Sequence, residues 1–144
     1  MKQISSRFSI AVHALSLIAQ FPSQCTGEFI AGSVNTNPVI VRKMIAMLKK
    51  AGLVTVRPGV GGTSLTKAPE DISLLDVYRA VGSTDDGELF NFHDAPNPLC
   101  PVGQRIEGAL RSHMREAQLA MERKLAGVTL RQLIAEMQEQ SNTR

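Results

Sequence analysis

The segment 27–67 constrains the fold of this chain more than any other part of its sequence. A short apolar stretch is followed by the turn Asn35-Thr36-Asn37-Pro38 and then by a second helical pattern, which stops at Gly52. Asn37 is a good N-cap, and Pro38 takes the first helical position, where its missing N–H group costs nothing. A glycine just after the last periodic residue is a common helix stop. This order predicts two helices joined by a tight turn.

The second helical pattern, residues 38–51, has two distinct faces. An apolar stripe is expected to be buried and comprises Val41, Met44, Ile45 and Leu48. The opposite face carries Val39, Arg42, Lys43, Ala46, Lys49 and Lys50. A strand at 53–56, a glycine-rich loop at 57–62 and a return strand at 63–66 follow, which predicts a β-hairpin. Together these elements predict a winged helix-turn-helix, with one helix in the major groove of DNA and the hairpin against its backbone.

The charge of the chain is divided between its two halves. Residues 1–67 hold eight Lys and Arg side chains against one acid, a net charge of +7. Residues 68–144 hold eight Lys and Arg against twelve acids, a net charge of −4. A basic helix face alone is usually no more than a solvated face. Here it follows a tight turn and precedes a basic hairpin, and these joint features favour double-stranded DNA as the partner.

Candidate DNA contacts follow from this arrangement. Arg42 and Lys43 are the right residue types to hydrogen-bond guanine or phosphate, and Val39 is suited to a thymine methyl group. The turn lies by a helix N-terminus, where backbone N–H groups attract phosphate. The remaining candidates are Asn35, Thr36, Asn37, Lys49, Arg57, Gly59, Gly61, Gly62 and Lys67.

The rest of the chain reads as helical, so the predicted fold is mainly α with a small β-wing. We expect a first helix at 6–20, a short helix opened by a Ser73–Asp76 capping box, and a loop-like linker at 83–100. A long helix from Pro101 then carries a row of apolar residues. This row is consistent with packing on its own domain, but its position after a linker favours a homodimerisation helix. The predicted division is 1–82 for DNA binding, 83–100 as linker and 101–144 for dimerisation.

Several classes of protein are not indicated. No run of about 18 apolar residues is present, so a membrane span is not expected. Two cysteines and no signal peptide point to a reducing cytoplasm. The glycines of the hairpin lack the Lys-Ser/Thr of a phosphate-binding loop that opens a helix. Isolated histidines and the absence of a Cys-x-x-Cys pair indicate no metal, cofactor or catalytic site, and therefore no enzyme.

The two cysteines differ in context. Cys100 directly precedes Pro101 and is therefore expected at the N-cap of the long helix, where the positive end of a helix dipole favours a thiolate. Cys25 lies in a polar loop before the helix-turn-helix and has no such support. Cys100 is the first candidate for an oxidant-sensing residue, with Cys25 of a second subunit as a possible partner thiol. A buried, inert cysteine is the alternative.

These residues together resemble the Rrf2 family of bacterial winged-helix regulators. The resemblance rests on the turn and helix at 35–43, on 48–54, on the wing at 57–65 and on the helix at 73–81. It implies a homodimeric transcription factor, usually a repressor, that responds to a redox, iron–sulfur or small-molecule signal.

Two positions depart from the family pattern. Cluster-binding members carry three cysteines around the start of the long helix, whereas 91–104 contains Cys100 alone, so the cluster-free subgroup is expected. Thr63 stands where the family usually has an aromatic residue. The alternative function is a protein–protein interaction module that keeps the fold and turns its basic face to an acidic partner.

Overall fold

The structure, a computed structural model, describes residues 6–57, 62–82, 92–93 and 95–142. Within these ranges the chain is mainly helical with one two-stranded antiparallel sheet, as predicted. The elements in chain order are α1 (Ser6–Gln20), α2 (Gly27–Val34), α3 (Pro38–Lys50), β1 (Val54–Val56), β2 (Thr63–Leu65), a 3-10 turn (Pro69–Asp71), α4 (Leu74–Val81), α5 (Pro101–Ala126) and α6 (Leu130–Asn142). None of these helices is both long and apolar enough to cross a membrane.

Both ends of α3 are held by the residues that the sequence singles out. The Val39 amide donates to Asn37 Oδ1 at 2.8 Å, and Pro38 occupies the first turn. At the other end Gly52 adopts φ +80°, a conformation that residues with a side chain rarely take, and its amide donates to the Lys49 carbonyl at 3.0 Å. The predicted cap and stop are thereby confirmed, and α3 has a fixed length and start.

The wing is a short hairpin attached directly to the core. β1 pairs antiparallel with β2, with Val54 opposite Leu65. The Arg57 amide donates to the Gly62 carbonyl at 2.9 Å, which closes the described part of the hairpin. The Thr63 amide donates to the backbone carbonyl of Cys25, in the loop before α2, at 3.0 Å. These bonds set the position of the wing relative to the helices.

One apolar core joins the helices at the two ends of the chain. Its most deeply buried side chains, each less than 2% exposed, include Leu15, Ile18, Ile30, Val41, Leu48, Ile72, Val77 and Leu130. Ile134 also packs in this core and is 6% exposed. The last helix therefore buries its apolar face against α1 and the segment before α4 rather than beside α5.

Backbone hydrogen bonds hold the start of α6 against the segment around the start of α4. The Leu130 amide donates to the Ile72 carbonyl at 2.8 Å, and the Leu74 amide donates to the Val128 carbonyl at 2.9 Å. The predicted assignment of 101–144 to dimerisation stays a prediction, and these bonds show in addition that the core holds the start of α6. Its apolar stripe was recognised, but periodicity alone does not say which surface a stripe covers.

Removing the Leu130 side chain tests whether α6 stabilises the DNA-binding part. Leu130→Ala should lower the free energy of unfolding by about 2–5 kcal/mol, because it leaves a cavity in the shared core. Met137→Ala is the matched control, since Met137 on the same helix is 40% exposed and should change stability little. Urea titration followed by circular dichroism measures both; equal stability of the two variants would contradict the packing described here.

Candidate nucleic-acid interface

The exposed face of α3 is basic at its edges. Its four buried residues are those predicted, Val41, Met44, Ile45 and Leu48. The exposed residues of the outer face are Val39, Arg42, Lys43, Ala46, Lys49 and Lys50. Pro38 and Ile40 are exposed as well, and Ile40, at 42%, is an apolar residue that the sequence interpretation did not place on the surface. No acidic side chain lies on this helix, so every charged side chain that it carries is a cation.

The turn before α3 is shaped by its own backbone. Asn35 adopts the left-handed conformation (φ 60°, ψ 51°), and its amide donates to the Ala31 carbonyl. The Thr36 amide donates to the same carbonyl at 3.2 Å. The Asn37 carboxamide oxygen is already engaged as the N-cap of α3. Hydrogen bonds therefore hold the backbone of the turn, and Asn35 and Asn37 are exposed beside the N-terminus of α3.

A groove separates α3 from the wing. Arg42 and Lys49 line its helical side, and Val56 and Thr63 line its strand side. Thr63, at the position where the family resemblance departs from pattern, is only 5% exposed and so packs inward. Two cations thus face the wing across an open channel.

The predicted wing contacts lie at both ends of the hairpin. Arg57 and Lys67 are exposed, and Gly62, whose carbonyl accepts from the Arg57 amide, is partly exposed. Gly59 and Gly61, also predicted as DNA contacts, lie outside the described residues.

A second groove lies on the opposite flank of α3, and sequence reasoning did not find it. Arg7 from α1, Lys50 from α3 and Arg79 from α4 line it, over a floor that includes Met47 and Ala80. Arg7 Nη1 donates to a backbone carbonyl of α4 at 3.4 Å, which anchors its guanidinium at the rim. No acid is among the described residues that line this groove. The three cations are far apart in sequence, so only the helix packing brings them together.

The long helix exposes much of its apolar row. No residue of α5 is fully buried, although the helix packs against α4. Ile106 and Met114 are partly covered, whereas Val102 is 67% and Leu110 41% exposed. Leu119, outside the predicted row, is 45% exposed. A helix of 26 residues with these exposed side chains has an uncovered apolar surface.

Cys100 occupies the N-cap of α5, as predicted. Its side chain makes no capping hydrogen bond and is partly exposed. Its amide donates to the Asn97 carbonyl at 3.2 Å, so the preceding turn folds onto the helix start. The contact is tight: a Cβ atom on Gly103 would lie 2.6 Å from the Asn97 carbonyl oxygen. The backbone of Cys100 is therefore part of a closely packed turn.

Cys25 is in a different environment from Cys100. It is 1% exposed, and its Sγ donates to the Phe21 carbonyl at 3.3 Å. Burial raises the pKa of the Cys25 thiol above its ordinary value, because desolvation disfavours the thiolate. The predicted role of Cys25 as a partner thiol has no support from this environment, while that of Cys100 stays a prediction.

The side chains present do not fit an iron–sulfur cluster. Such clusters are held by cysteine thiolates, generally four. The chain has two cysteines, and the buried one is bonded to a backbone carbonyl. Across the ranges that the structure describes, no three His, Cys, Asp or Glu side chains form a group that could hold a metal ion.

Comparison with known proteins agrees with this architecture. The chain matches the Rrf2 family, described as iron-dependent transcriptional regulators, over residues 4–136. It is 51% identical over 131 residues to YwnA of Bacillus subtilis (strain 168), which is described as an HTH-type transcriptional regulator; the match covers 91% of this chain and 96% of YwnA.

Solved structures of DNA-binding regulators share the fold of this chain. A protein described as DNA-binding is 46% identical, with a TM-score of 0.73, covering 90% of this chain and 99% of that protein. IscR of T. potens is 25% identical, with a TM-score of 0.70, covering 95% of this chain and 89% of its own. CymR of B. subtilis, a global cysteine regulator, is 20% identical with a TM-score of 0.68 over 94% of this chain and 98% of its own, and shows the shared fold. This chain therefore belongs to the Rrf2 family, whose members are DNA-binding transcriptional regulators and not enzymes.

Proposed function

We propose that this protein is a cytoplasmic, homodimeric repressor that binds a palindromic duplex operator through α3 and the wing. The observation that carries the proposal is the outer face of α3, which is basic, free of acids and held at both ends. Membership of a family of DNA-binding regulators supports it over the alternative of a protein–protein interaction module. A two-fold operator follows from a two-fold protein, because each subunit reads one half-site.

In this proposal some basic side chains contact bases and others contact phosphates. Arg42 and Lys43 reach into the major groove, where guanine and phosphate oxygens are available. Lys49 at the end of α3 and the exposed Arg57 and Lys67 of the wing contact phosphates, which position the protein without reading sequence. The turn residues Asn35, Thr36 and Asn37 meet the DNA backbone near the start of α3 through their side chains, because the Asn35 and Thr36 amides already donate to the Ala31 carbonyl.

Two substitutions on α3 test this assignment. Arg42→Ala should weaken operator binding by about 1–3 kcal/mol and relax specificity at one guanine, because a bidentate contact is lost. Lys49→Ala should weaken binding to all duplexes and reduce the slope of log K against log salt by about one. Fluorescence anisotropy with operator and random duplex measures both effects. Parent-like binding by both variants would place the recognition surface elsewhere. Binding to an acidic protein, with no preference for operator over random duplex, would favour the interaction module.

The dimer in this proposal is held by α5. Its exposed apolar side chains, Val102 and Leu110 among them, would otherwise remain in water. A helix of 26 residues is about 39 Å long, enough to span two DNA-binding parts side by side. The packing of α5 on α4 transmits its position to the DNA-binding core.

Leu110→Glu should dissociate the dimer, because it places an unpaired charge in the interface, and operator binding should be lost with it. Ser112→Glu is the matched control, since Ser112 is exposed on another side of the same helix and should leave the dimer intact. Light scattering and sedimentation measure the mass of each variant. A dimer that survives Leu110→Glu would show that α5 does not form the interface.

The signal in this proposal enters at Cys100. A partly exposed thiol at a helix N-cap is accessible to peroxide, which transfers one oxygen atom to the sulfur and releases water. The resulting sulfenic acid is larger than the thiol, and it belongs to a residue whose amide is bonded to Asn97, the residue that closely approaches Gly103. Oxidation there would disturb the start of α5 and thus the spacing of the two DNA-binding parts.

Mild oxidation should weaken operator binding by the parent protein, and dithiothreitol should restore it. Cys100→Ser should abolish this response, whereas Cys25→Ala should retain it, because Cys25 is buried. Operator affinity and thiol content are measured on the same samples, with non-reducing electrophoresis to detect a disulfide. An undiminished response of Cys100→Ser would assign the signal to another site.

A further inference from the structure

The outer face of α3 consists of three rows of side chains. Residues seven apart on a helix return to within about 20° of the same direction. Val39 and Ala46 form a central apolar row. The pairs Arg42 with Lys49, and Lys43 with Lys50, form rows roughly 60° to one side and roughly 40° to the other. All six side chains are exposed, so the apolar row lies between two basic rows.

The residues that line the two grooves beside α3 show, independently of the helical angles, which way its basic side chains face. Arg42 and Lys49 line the groove toward the wing, together with Val56. Lys50 lines the groove on the opposite flank, together with Arg7 and Arg79. Arg42 and Lys49 therefore face the wing and Lys50 faces the opposite flank. Of the central row, Ala46 borders the groove toward the wing and Val39 lines neither groove.

Val39 is a rigid member of the central row. It is 49% exposed, and its own amide is fixed by the Asn37 side chain at 2.8 Å. A β-branched side chain on a helix has one strongly preferred rotamer. With Asn37 engaged in the cap, the exposed residues of the first turn are Pro38, Val39 and Ile40, and none of these carries a polar side chain.

A helix in the major groove turns its central row to the base edges and its flanks to the walls of the groove. Cations on the flanks then meet phosphates, and a long arginine also reaches a guanine edge. An apolar side chain on the central row has one specific partner in that groove, the C5-methyl group of thymine. The arrangement thus separates charge attraction from apolar base contact on one helix.

We infer that this protein reads its operator in part through thymine methyl groups, which the Val39 and Ala46 row contacts in each half-site. This inference rests on the proposed binding of α3 in the major groove. It assigns sequence selection to apolar contact as well as to the basic side chains. It also makes the protein sensitive to a single methyl group on DNA that leaves every hydrogen bond of the base pair intact.

Uracil substitution tests the inference directly. The preferred duplex is first selected from a random pool with the full-length protein, and each thymine is then replaced in turn by uracil. Burying one methyl group contributes about 0.8 kcal/mol, so each contacted thymine should weaken binding about fourfold on conversion to uracil. The loss should be confined to one or two positions per half-site and should not change the salt slope, because no phosphate contact is altered.

Two exposed neighbours provide the variants. Val39→Ala should bind thymine and uracil duplexes with nearly equal affinity at the position that Val39 contacts, because the side chain that meets that methyl group is gone, while any position read by Ala46 keeps its preference. Ile40→Ala, roughly 100° around the helix, should keep the parent's preference for thymine. Parent affinity unchanged by every uracil substitution, or a preference erased by Ile40→Ala and kept by Val39→Ala, would overturn the inference. Absence of any duplex selected from the pool would instead reject the proposed DNA-binding function itself.

Discussion

The hydrogen bond from the Val39 amide to Asn37 Oδ1 fixes the start of α3, and the proposed DNA-binding surface depends on it. It starts α3 at a defined residue, and Gly52 ends the helix thirteen residues on. With both ends fixed, the buried stripe can face only one way, so the basic residues must point outward. Loss of an N-cap side chain typically costs about 1 kcal/mol. Here it would also free the start of α3, and with it the position of the side chains on the exposed face.

Local signals were sufficient to predict most helices and the wing from sequence. The 3.6-residue period located α1 and α3, and the Ser73–Asp76 capping box is present in full at the start of α4. These features depend on neighbours within a few residues, which is why a sequence reveals them. The start of α5 at Pro101, with Cys100 as its N-cap, followed from the same reasoning.

Features built from distant segments were not predictable in the same way. The Arg7, Lys50 and Arg79 groove requires three helices to pack at particular angles, and the sequence carries no sign of that. The apolar stripe of α6 was visible, but its partner was not, because many surfaces accept a stripe of similar width. The same ambiguity applied to Cys25, which lies in a polar stretch of sequence and is buried by the fold.

The return of α6 to the core also has a consequence for the order in which the chain is made. Synthesis proceeds from the N-terminus, so α1 to α4 leave the ribosome while the hydrophobic site for Leu130 is still empty. That site is filled only after all of α5 has been synthesised. A subunit whose core is complete therefore always carries the long helix already, and the core that supports α3 reaches its final stability only after the apolar face of α5 has been made.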